Sequence, residues 1–110
     1  MIWRVRDRAT LAALRRSSRR VRRGPITVTF VETVPTDPPQ VAYVVGRRVG
    51  GAVERNRLRR RLRAIIWELG GHLGPGAYLV GAAGEAASLS FGELKAMVSQ
   101  ALHELARDDR

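Results

Sequence analysis

The densest run of chemically capable side chains lies at residues 46–66, which read GRRVGGAVERNRLRRRLRAII. This run holds eight arginines and a single acid, Glu54. Guanidinium groups stay protonated at physiological pH and donate paired, planar hydrogen bonds that match the oxygens of a phosphate. Because they do not release a proton, they are unsuited to general acid or base catalysis. The run therefore predicts that a polyanion is bound here.

Elsewhere the sequence shows no set of residues with catalytic or metal-binding spacing. There is no cysteine, and His72 and His103 stand in a glycine-rich loop and on the last predicted helix. The serines lack a G-x-S-x-G elbow, and GRRVGG lacks the Gly-Lys-Ser/Thr ending of a P-loop. Asp108 and Asp109 are adjacent, but at the end of the sequence they do not resemble a metal-binding cluster. We expect neither catalytic residues nor metal ligands in the protein itself.

Charge is distributed unevenly along the 110 residues, whose formal net charge is +10. Residues 1–63 hold 17 arginines against four acids, a net of +13, whereas residues 64–110 have a net charge of −3. The apolar fraction of 45% suits one domain over residues 1–110, with a basic N-terminal segment at about residues 1–8 that we expect to be flexible. The lack of cysteine, of a signal-peptide pattern and of a long apolar run predicts a soluble, cytoplasmic protein without a membrane partner.

Hydrophobic patterns predict three strands. Residues 25–32 alternate as a half-buried strand, and residues 41–46 are expected to pair with them as an antiparallel hairpin. The proline-rich residues 33–40 between them read as a loop, and residues 77–83 as a third, mostly apolar strand.

Three helices are predicted as well. Thr10 is expected to cap a short first helix, and a long second helix covers residues 53–69. Ser90 and Glu93 form the S-x-x-E capping box of the last helix, whose apolar stripe belongs to the core. The predicted order is αββαβα, an α+β sandwich with helices packed on one sheet.

The helix at residues 53–69 has an apolar arc and a basic arc on opposite sides. Arginines three or four positions apart repel by roughly a few tenths of a kcal/mol per pair, and glutamates that would relieve this are missing. We interpret the basic arc as a nucleic-acid contact surface. Trp67 lies on it beside Arg60 and Arg63, where its indole can stack on an RNA base. Packing against the N-terminal segment around Trp3 explains this tryptophan equally well.

The run RRVGGAVERNRLRRRLR, residues 47–63, resembles the RNR motif of the bacterial ribonuclease P protein subunit. The family pattern is two basic residues, Val or Ile, Gly, any residue, Ala-Val, any residue, Arg-Asn-Arg, an aliphatic residue and further basic residues. The match has no gap, and the Val-Gly-x-Ala-Val part fixes its register. The strand GAYLVG and the helix start LSFGELK are also similar to the family, so the resemblance spans essentially the whole chain.

The resemblance implies a single-domain αβββαβα sandwich with a left-handed β-α-β crossover through the RNR helix, a topology also known from a ribosomal protein domain. It implies one strand more than the pattern predicts. The implied function is that of the small subunit of a ribonucleoprotein that removes the 5′ leader of precursor tRNA. In it the catalytic RNA performs the hydrolysis with Mg²⁺, held mainly by the RNA and the RNA–protein interface. The implied partners are that RNA and precursor tRNA, and the free protein is expected to be a monomer.

The resemblance also implies site residues. Positions that match RNA-binding positions of the family are Arg47, Arg48, Arg55, Asn56, Arg57, Arg59, Arg60 and Arg63. The family holds the single-stranded leader in a cleft on the sheet partly through aromatic residues, where this sequence has Leu11, Arg15 and Thr29. Candidates for leader binding are Arg15, Arg19, Thr29 and Tyr43. Phe30 could add an aromatic face, although strand alternation favours a core position for it.

Two other functions stay open. A basic RNA-binding protein without a role in catalysis, such as a ribosomal protein, would use the same helix as a phosphate clamp and would not affect tRNA maturation. A binder of anionic membranes or acidic proteins fits less well, because the apolar arc of the basic helix is committed to the core.

Overall fold

The computed structural model describes residues 1–107; the remaining residues 108–110, which include Asp108 and Asp109, lie outside the described part. The elements are β1 (Trp3–Arg4), α1 (Arg8–Arg16), β2 (Arg20–Arg23), β3 (Ile26–Val31), β4 (Gln40–Val45), α2 (Ala52–Glu68), β5 (Ala77–Ala82) and α3 (Phe91–Arg107). Short 3₁₀ turns at Arg47–Val49 and Gly70–His72 flank α2, and a third at Gly84–Ser88 precedes α3.

One sheet with the strand order β1-β4-β5-β3-β2 organises the fold. The strand β5 lies at its centre, parallel to β4 and antiparallel to β3. The helix α2 therefore forms the crossover between two parallel neighbours. From α1 onwards the order is αβββαβα, which confirms the mixed α and β fold that the resemblance implies.

The predicted hairpin is wrong. The strands β3 and β4 do not pair with each other, because β5 lies between them. Neighbouring strands are about 4.8 Å apart, so the loop at residues 32–39 is long enough to carry the chain across one intervening strand. Instead, β5 forms a six-residue ladder with each of the two strands. These pairings join segments that are distant in the sequence, so no local pattern reveals them.

The two edge strands were not found by the pattern of apolar residues. Strand β2 has the sequence RVRR, in which Val21 alone is buried, and it pairs antiparallel with β3. Strand β1 is two residues long; the backbone N–H of Trp3 donates to the Pro39 carbonyl oxygen over 2.8 Å, and that of Val5 to the Val41 carbonyl oxygen over 3.3 Å. The basic N-terminal segment thus adds a short edge to the sheet. Edge strands tolerate charged residues because one side of their backbone faces solvent.

The first helix begins earlier than predicted, because Asp7 rather than Thr10 caps it. The Asp7 carboxylate accepts hydrogen bonds from the Thr10 backbone N–H over 2.9 Å and from the Thr10 hydroxyl over 2.8 Å. These bonds hold the pKa of the Asp7 carboxyl below its usual value, with the backbone N–H as the main cause. A carboxylate at this position also interacts favourably with the positive end of the helix dipole.

The core lies between one face of the sheet and the helices α2 and α3. Val28 and Val80 from the strands meet Leu62, Ile65 and Val98 from the helices, and all five side chains are fully buried. Strand residues in the alternate phase point to the opposite face, which α1 covers in part. The sheet therefore separates α1 from the long basic helix.

The predicted capping box at the start of α3 is confirmed. The Glu93 N–H donates to the Ser90 hydroxyl oxygen over 3.1 Å, and the Ser90 N–H donates to the Glu93 carboxylate over 2.9 Å. The second bond is the main reason why the pKa of Glu93 is lowered. The apolar stripe that follows, including Leu94, Val98 and Leu105, is buried as predicted.

Ser90→Ala should lower the free energy of unfolding by about 1 kcal/mol, because the first turn of α3 loses its side-chain acceptor. Urea denaturation followed by circular dichroism measures this. The matched control is Ser99→Ala, an exposed serine inside the same helix, which should change stability by less than about 0.5 kcal/mol. Equal losses in the two variants would contradict the capping role.

Gly76, just before β5, is a position where the fold requires glycine. Its φ of 140° is one that side-chain-bearing residues rarely adopt, and a Cβ atom there would overlap the Phe30 ring. We expect Gly76→Ala to destabilise the protein by about 2 to 4 kcal/mol in a thermal or urea unfolding experiment. The control, Gly74→Ala, lies two residues away in open space and should cost less than about 1 kcal/mol. A Gly76→Ala protein as stable as this control would disprove the steric argument.

Candidate nucleic-acid interface

The basic run is brought onto one side of the molecule by the 3₁₀ turn and α2. Arg47 and Arg48 are exposed, while Val49 is buried and anchors the turn. Gly50 has a φ of 147°, and a Cβ atom there would approach the Glu54 side chain to 3.0 Å. Glycine at this position therefore lets the chain turn sharply, so that α2 starts directly after the basic pair.

The two sides of α2 have opposite characters, as predicted. Its inner side buries Leu58, Leu62, Ile65 and Ile66. On its outer side Asn56, Arg57 and Arg60 are exposed. Three of the predicted RNA-binding residues thus share an outward face whose backbone is fixed by the core packing on the other side of the helix.

A second row runs along the flank of α2 that faces β4. Arg59, Arg63 and Trp67 follow one another at intervals of four residues, which places them on one line along a helix. The Arg63 guanidinium lies over the Tyr43 ring, with Cζ 5.6 Å from the ring centroid. Arg59 Nη1 donates to Asn56 Oδ1 over 2.9 Å. The Tyr43 contact keeps the Arg63 side chain on the sheet side of the helix, although Arg63 and Trp67 both remain exposed.

Tyr43 is a fixed partner in this row. Burial raises the pKa of its hydroxyl to about 12, and the positive charge of Arg63 opposes that shift only in part. The phenol therefore stays protonated throughout the physiological range. Its ring serves as a cation–π surface that directs the Arg63 side chain.

Two arginines of the helix are partly used for packing. Arg55 is half-buried, and its Nε atom is buried without a hydrogen-bond partner among residues 1–107. Arg61 is also half-buried, with Nη1 3.5 Å from the Leu89 carbonyl oxygen. Substituting either residue would thus disturb local structure together with charge.

Few carboxylates lie near the basic face in the described part of the chain. Glu68 pairs with Lys95 of α3 over 2.7 Å, and Glu104 of α3 pairs with Arg23 over 2.6 Å. Glu54, in the first turn of α2, is the exception, because it lies beside Arg57 and Arg61. It is a single acid against the eight arginines of residues 46–66. The charge of the outer face is therefore available to an external anion.

Two of the predicted leader-binding residues, Arg15 and Thr29, lie on the side of the sheet that carries α1. Arg19 differs, because it lies over Phe30, which shares the core face of β3 with Val28. Arg15 is exposed in the last turn of that helix. The Arg19 guanidinium lies 4.4 Å from the centroid of the Phe30 ring. Thr29 is only 2% exposed, and its hydroxyl accepts a hydrogen bond from Arg20 Nε over 3.3 Å. Arg15 is therefore open to solvent, Arg19 is half-buried against Phe30, and Thr29 is covered.

Tyr43, the fourth candidate, does not join them. It pairs in register with Val80, a core residue, and so points to the face of the sheet that carries α2. Phe30 is 6% exposed and belongs to the core, as strand alternation predicts. The sequence could not reveal the side of Tyr43, because that depends on its register with β5.

The sequence also did not reveal that β1 lies beside α2. Trp3 and Arg4 line the same groove as Arg59, Arg63 and Trp67. A two-residue strand has no periodicity to detect, so no local signal could have placed it. Trp67 is 60% exposed, so contact with the N-terminal segment leaves most of its indole uncovered.

Residues 1–107 contain no group of three His, Cys, Asp or Glu side chains placed to hold a metal ion. Within the same residues, no helix is long and apolar enough to cross a membrane. The chemistry that this surface does offer is fixed positive charge, hydrogen-bond donors and exposed indole.

Comparison with known proteins agrees with the family resemblance seen in the sequence. The model of the family described as Ribonuclease P matches residues 2–106. The ribonuclease P protein component of Thermobifida fusca is 37% identical over 114 aligned positions, which cover 94% of this chain and 76% of that protein. The corresponding protein of Acidothermus cellulolyticus is 48% identical over 66 residues, 58% of this chain, and the match spans only 54% of that relative's length.

Solved structures show the same fold. The RNase P protein of Staphylococcus aureus matches with a TM-score of 0.81 at 18% identity, over 92% of this chain and 93% of that one. The RNase P protein from Thermotoga maritima gives a TM-score of 0.78 at 21% identity, over 90% and 94% of the two chains. Together with the family match over residues 2–106 and the Thermobifida relative, these findings establish that the chain belongs to the ribonuclease P protein family.

Proposed function

We propose that this chain is the protein subunit of a bacterial ribonuclease P and promotes removal of the 5′ leader from precursor tRNA, while the RNA subunit performs the hydrolysis. The observation that carries the proposal is the outer face of α2. There the residues of the RNR run, Asn56, Arg57 and Arg60, stand exposed on a helix whose other side is core. The family to which the chain belongs points to the same RNA partner.

The outer face would act as a rigid clamp for RNA phosphates. Each arginine that neutralises a phosphate releases condensed counterions, which favours binding at low salt. The like-charge repulsion between Arg57 and Arg60 is relieved when phosphate oxygens lie between them. Because the helix is already fixed by its buried side, little ordering of backbone is needed on binding.

The leader would bind on the other side of the sheet, near α1. Arg15 offers charge there, but the aromatic positions of the family hold Leu11, Arg15 and Thr29. Stacking of an unpaired base on an aromatic ring contributes roughly 1 to 3 kcal/mol. With this contribution missing at these positions, leader binding would rest on charge and would depend strongly on salt.

Mg²⁺ would be held by the RNA and at its interface with the protein, where it supplies the activated water and charge stabilisation for phosphodiester hydrolysis. The arginines of α2 would neutralise nearby phosphates without binding the cation. We further propose that the protein acts in the cytoplasm and is a monomer before it meets the RNA.

Cleavage of precursor tRNA by a bacterial ribonuclease P RNA at low Mg²⁺ tests the assignment. Adding the protein should raise the cleavage rate, and Arg57→Ala/Arg60→Ala should lose at least about 10-fold of that stimulation, as expected when charge-assisted hydrogen bonds of about 1.5 kcal/mol each are lost. The control Arg107→Ala/Arg110→Ala removes the same charge near the end of the sequence and should keep most of the stimulation. Tight RNA binding without any stimulation of a cognate RNA would favour the generic RNA-binding function instead.

The salt dependence of binding to the catalytic RNA gives a second test. If about six arginines contact phosphates, log K should fall with log salt with a slope of about −4 to −5. Arg57→Ala/Arg60→Ala should make the slope shallower by about 1.5, since two phosphate contacts are lost. Binding measured across a potassium chloride series gives both slopes. An unchanged slope would show that these two arginines do not contact phosphate.

A further inference from the structure

A groove separates β1 and β4 from the C-terminal half of α2. Its volume is about 410 Å³, within the range of sites that take small ligands. Its lining includes Trp3, Arg4, Tyr43, Arg59, Arg63 and Trp67. We call it the Trp67 groove. The RNR pattern accounts for Arg59 and Arg63, but it does not account for an aromatic groove between α2 and the edge of the sheet.

The Trp67 groove is positively charged. Three arginines line it, and the described residues place no carboxylate in its lining. Glu68, which follows Trp67 directly, is drawn towards α3 by its 2.7 Å contact with Lys95. The groove therefore suits an anion that also carries an apolar, planar part.

The two indoles in this region are unusually open. Trp67 is 60% exposed and Trp3 is 43% exposed, although tryptophan side chains are highly buried on average. The Trp67 side chain continues the row of Arg59 and Arg63, so guanidinium groups and an aromatic surface lie side by side along one line. Alternation of arginine with aromatic surface is the usual composition of sites for single-stranded nucleic acid.

We propose that the Trp67 groove binds an unpaired nucleotide of the catalytic RNA, with the base against the Trp67 indole and the adjoining phosphates at Arg59 and Arg63. This inference rests on the proposed function and adds a base-stacking contact to it. We assign the nucleotide to the catalytic RNA because the groove is continuous with the outer face of α2. The leader candidates Arg15 and Thr29 lie across the sheet, on the side of α1.

Tryptophan fluorescence can report on the groove directly. The sequence contains two tryptophans, both in its lining, so Trp3→Phe leaves Trp67 as the one remaining indole. Titrating this variant with the catalytic RNA should quench its emission as the base stacks on the ring. A single-stranded 5′ leader oligonucleotide, added at the same concentrations, should not quench the Trp67 emission.

Affinity measurements separate stacking from charge. Trp67→Leu should weaken binding to the catalytic RNA by about 10-fold, and Trp67→Phe by about 3-fold or less, because the phenyl ring retains part of the stacking surface. The salt slope should not change in either variant, since no phosphate contact is lost. The control Val34→Ala truncates another exposed apolar side chain, in the loop at residues 32–39, and should bind like the unsubstituted protein.

Several outcomes would overturn the proposal. One is an emission of Trp3→Phe that does not change on titration with the catalytic RNA, together with a Trp67→Leu variant that binds that RNA as tightly as the unsubstituted protein. If the unsubstituted protein still stimulates cleavage, this pair of results would remove the stacking site and leave the proposed function intact. Quenching by the leader oligonucleotide but not by the catalytic RNA would show that the groove serves the substrate. Reduced stability of Trp67→Leu in urea with unchanged affinity would show that the indole is structural. An unsubstituted protein that neither binds the RNA nor stimulates cleavage would instead refute the proposed function itself.

Discussion

The burial of one side of α2 is the interaction on which the rest of the structure depends. Leu58, Leu62, Ile65 and Ile66 are inserted between the sheet and α3. Fully burying a side chain of this size contributes about 1.5 to 3 kcal/mol, whereas a pair of like charges one turn apart costs a few tenths of a kcal/mol. The apolar side therefore outweighs the repulsion on the basic side. The protein can present a row of arginines on α2 against a single acid of that row, Glu54.

The sheet gives this helix its position and separates two surfaces. Because β5 is central and parallel to β4, the connection between them must cross one face of the sheet, and α2 is that connection. The first helix lies on the opposite face, so the charged residues near its end are a sheet's thickness away from the RNR run. The proposed contacts to the catalytic RNA and to the leader thus belong to different sides of one thin layer.

The sequence predicts those features that depend on residues close to one another along the chain. The apolar period of α2 and the Ser90–Glu93 capping box involve residues within a few turns of one another, and both are confirmed. The pairing of β3 and β4 with β5 joins distant segments, and the predicted hairpin was wrong for that reason. The family resemblance, not the periodicity, implied one strand beyond the three that the apolar pattern predicts. The exposed positions of Arg57 and Arg60 were predictable from helix geometry, whereas the side of Tyr43 required the register of β4 with β5. The groove formed with β1 required tertiary structure.

Both edge strands of the sheet carry arginines, and this charge affects how the free protein meets other copies of itself. Strand β1 is only two residues long and includes Arg4, and three of the four residues of β2 are arginines. An exposed strand edge is a template on which another copy of a protein can continue the sheet. Two of these molecules that met edge to edge would bring two arginine-bearing strands to within about 4.8 Å, the backbone spacing of paired strands. The charge at these edges therefore opposes aggregation of the free protein through its sheet.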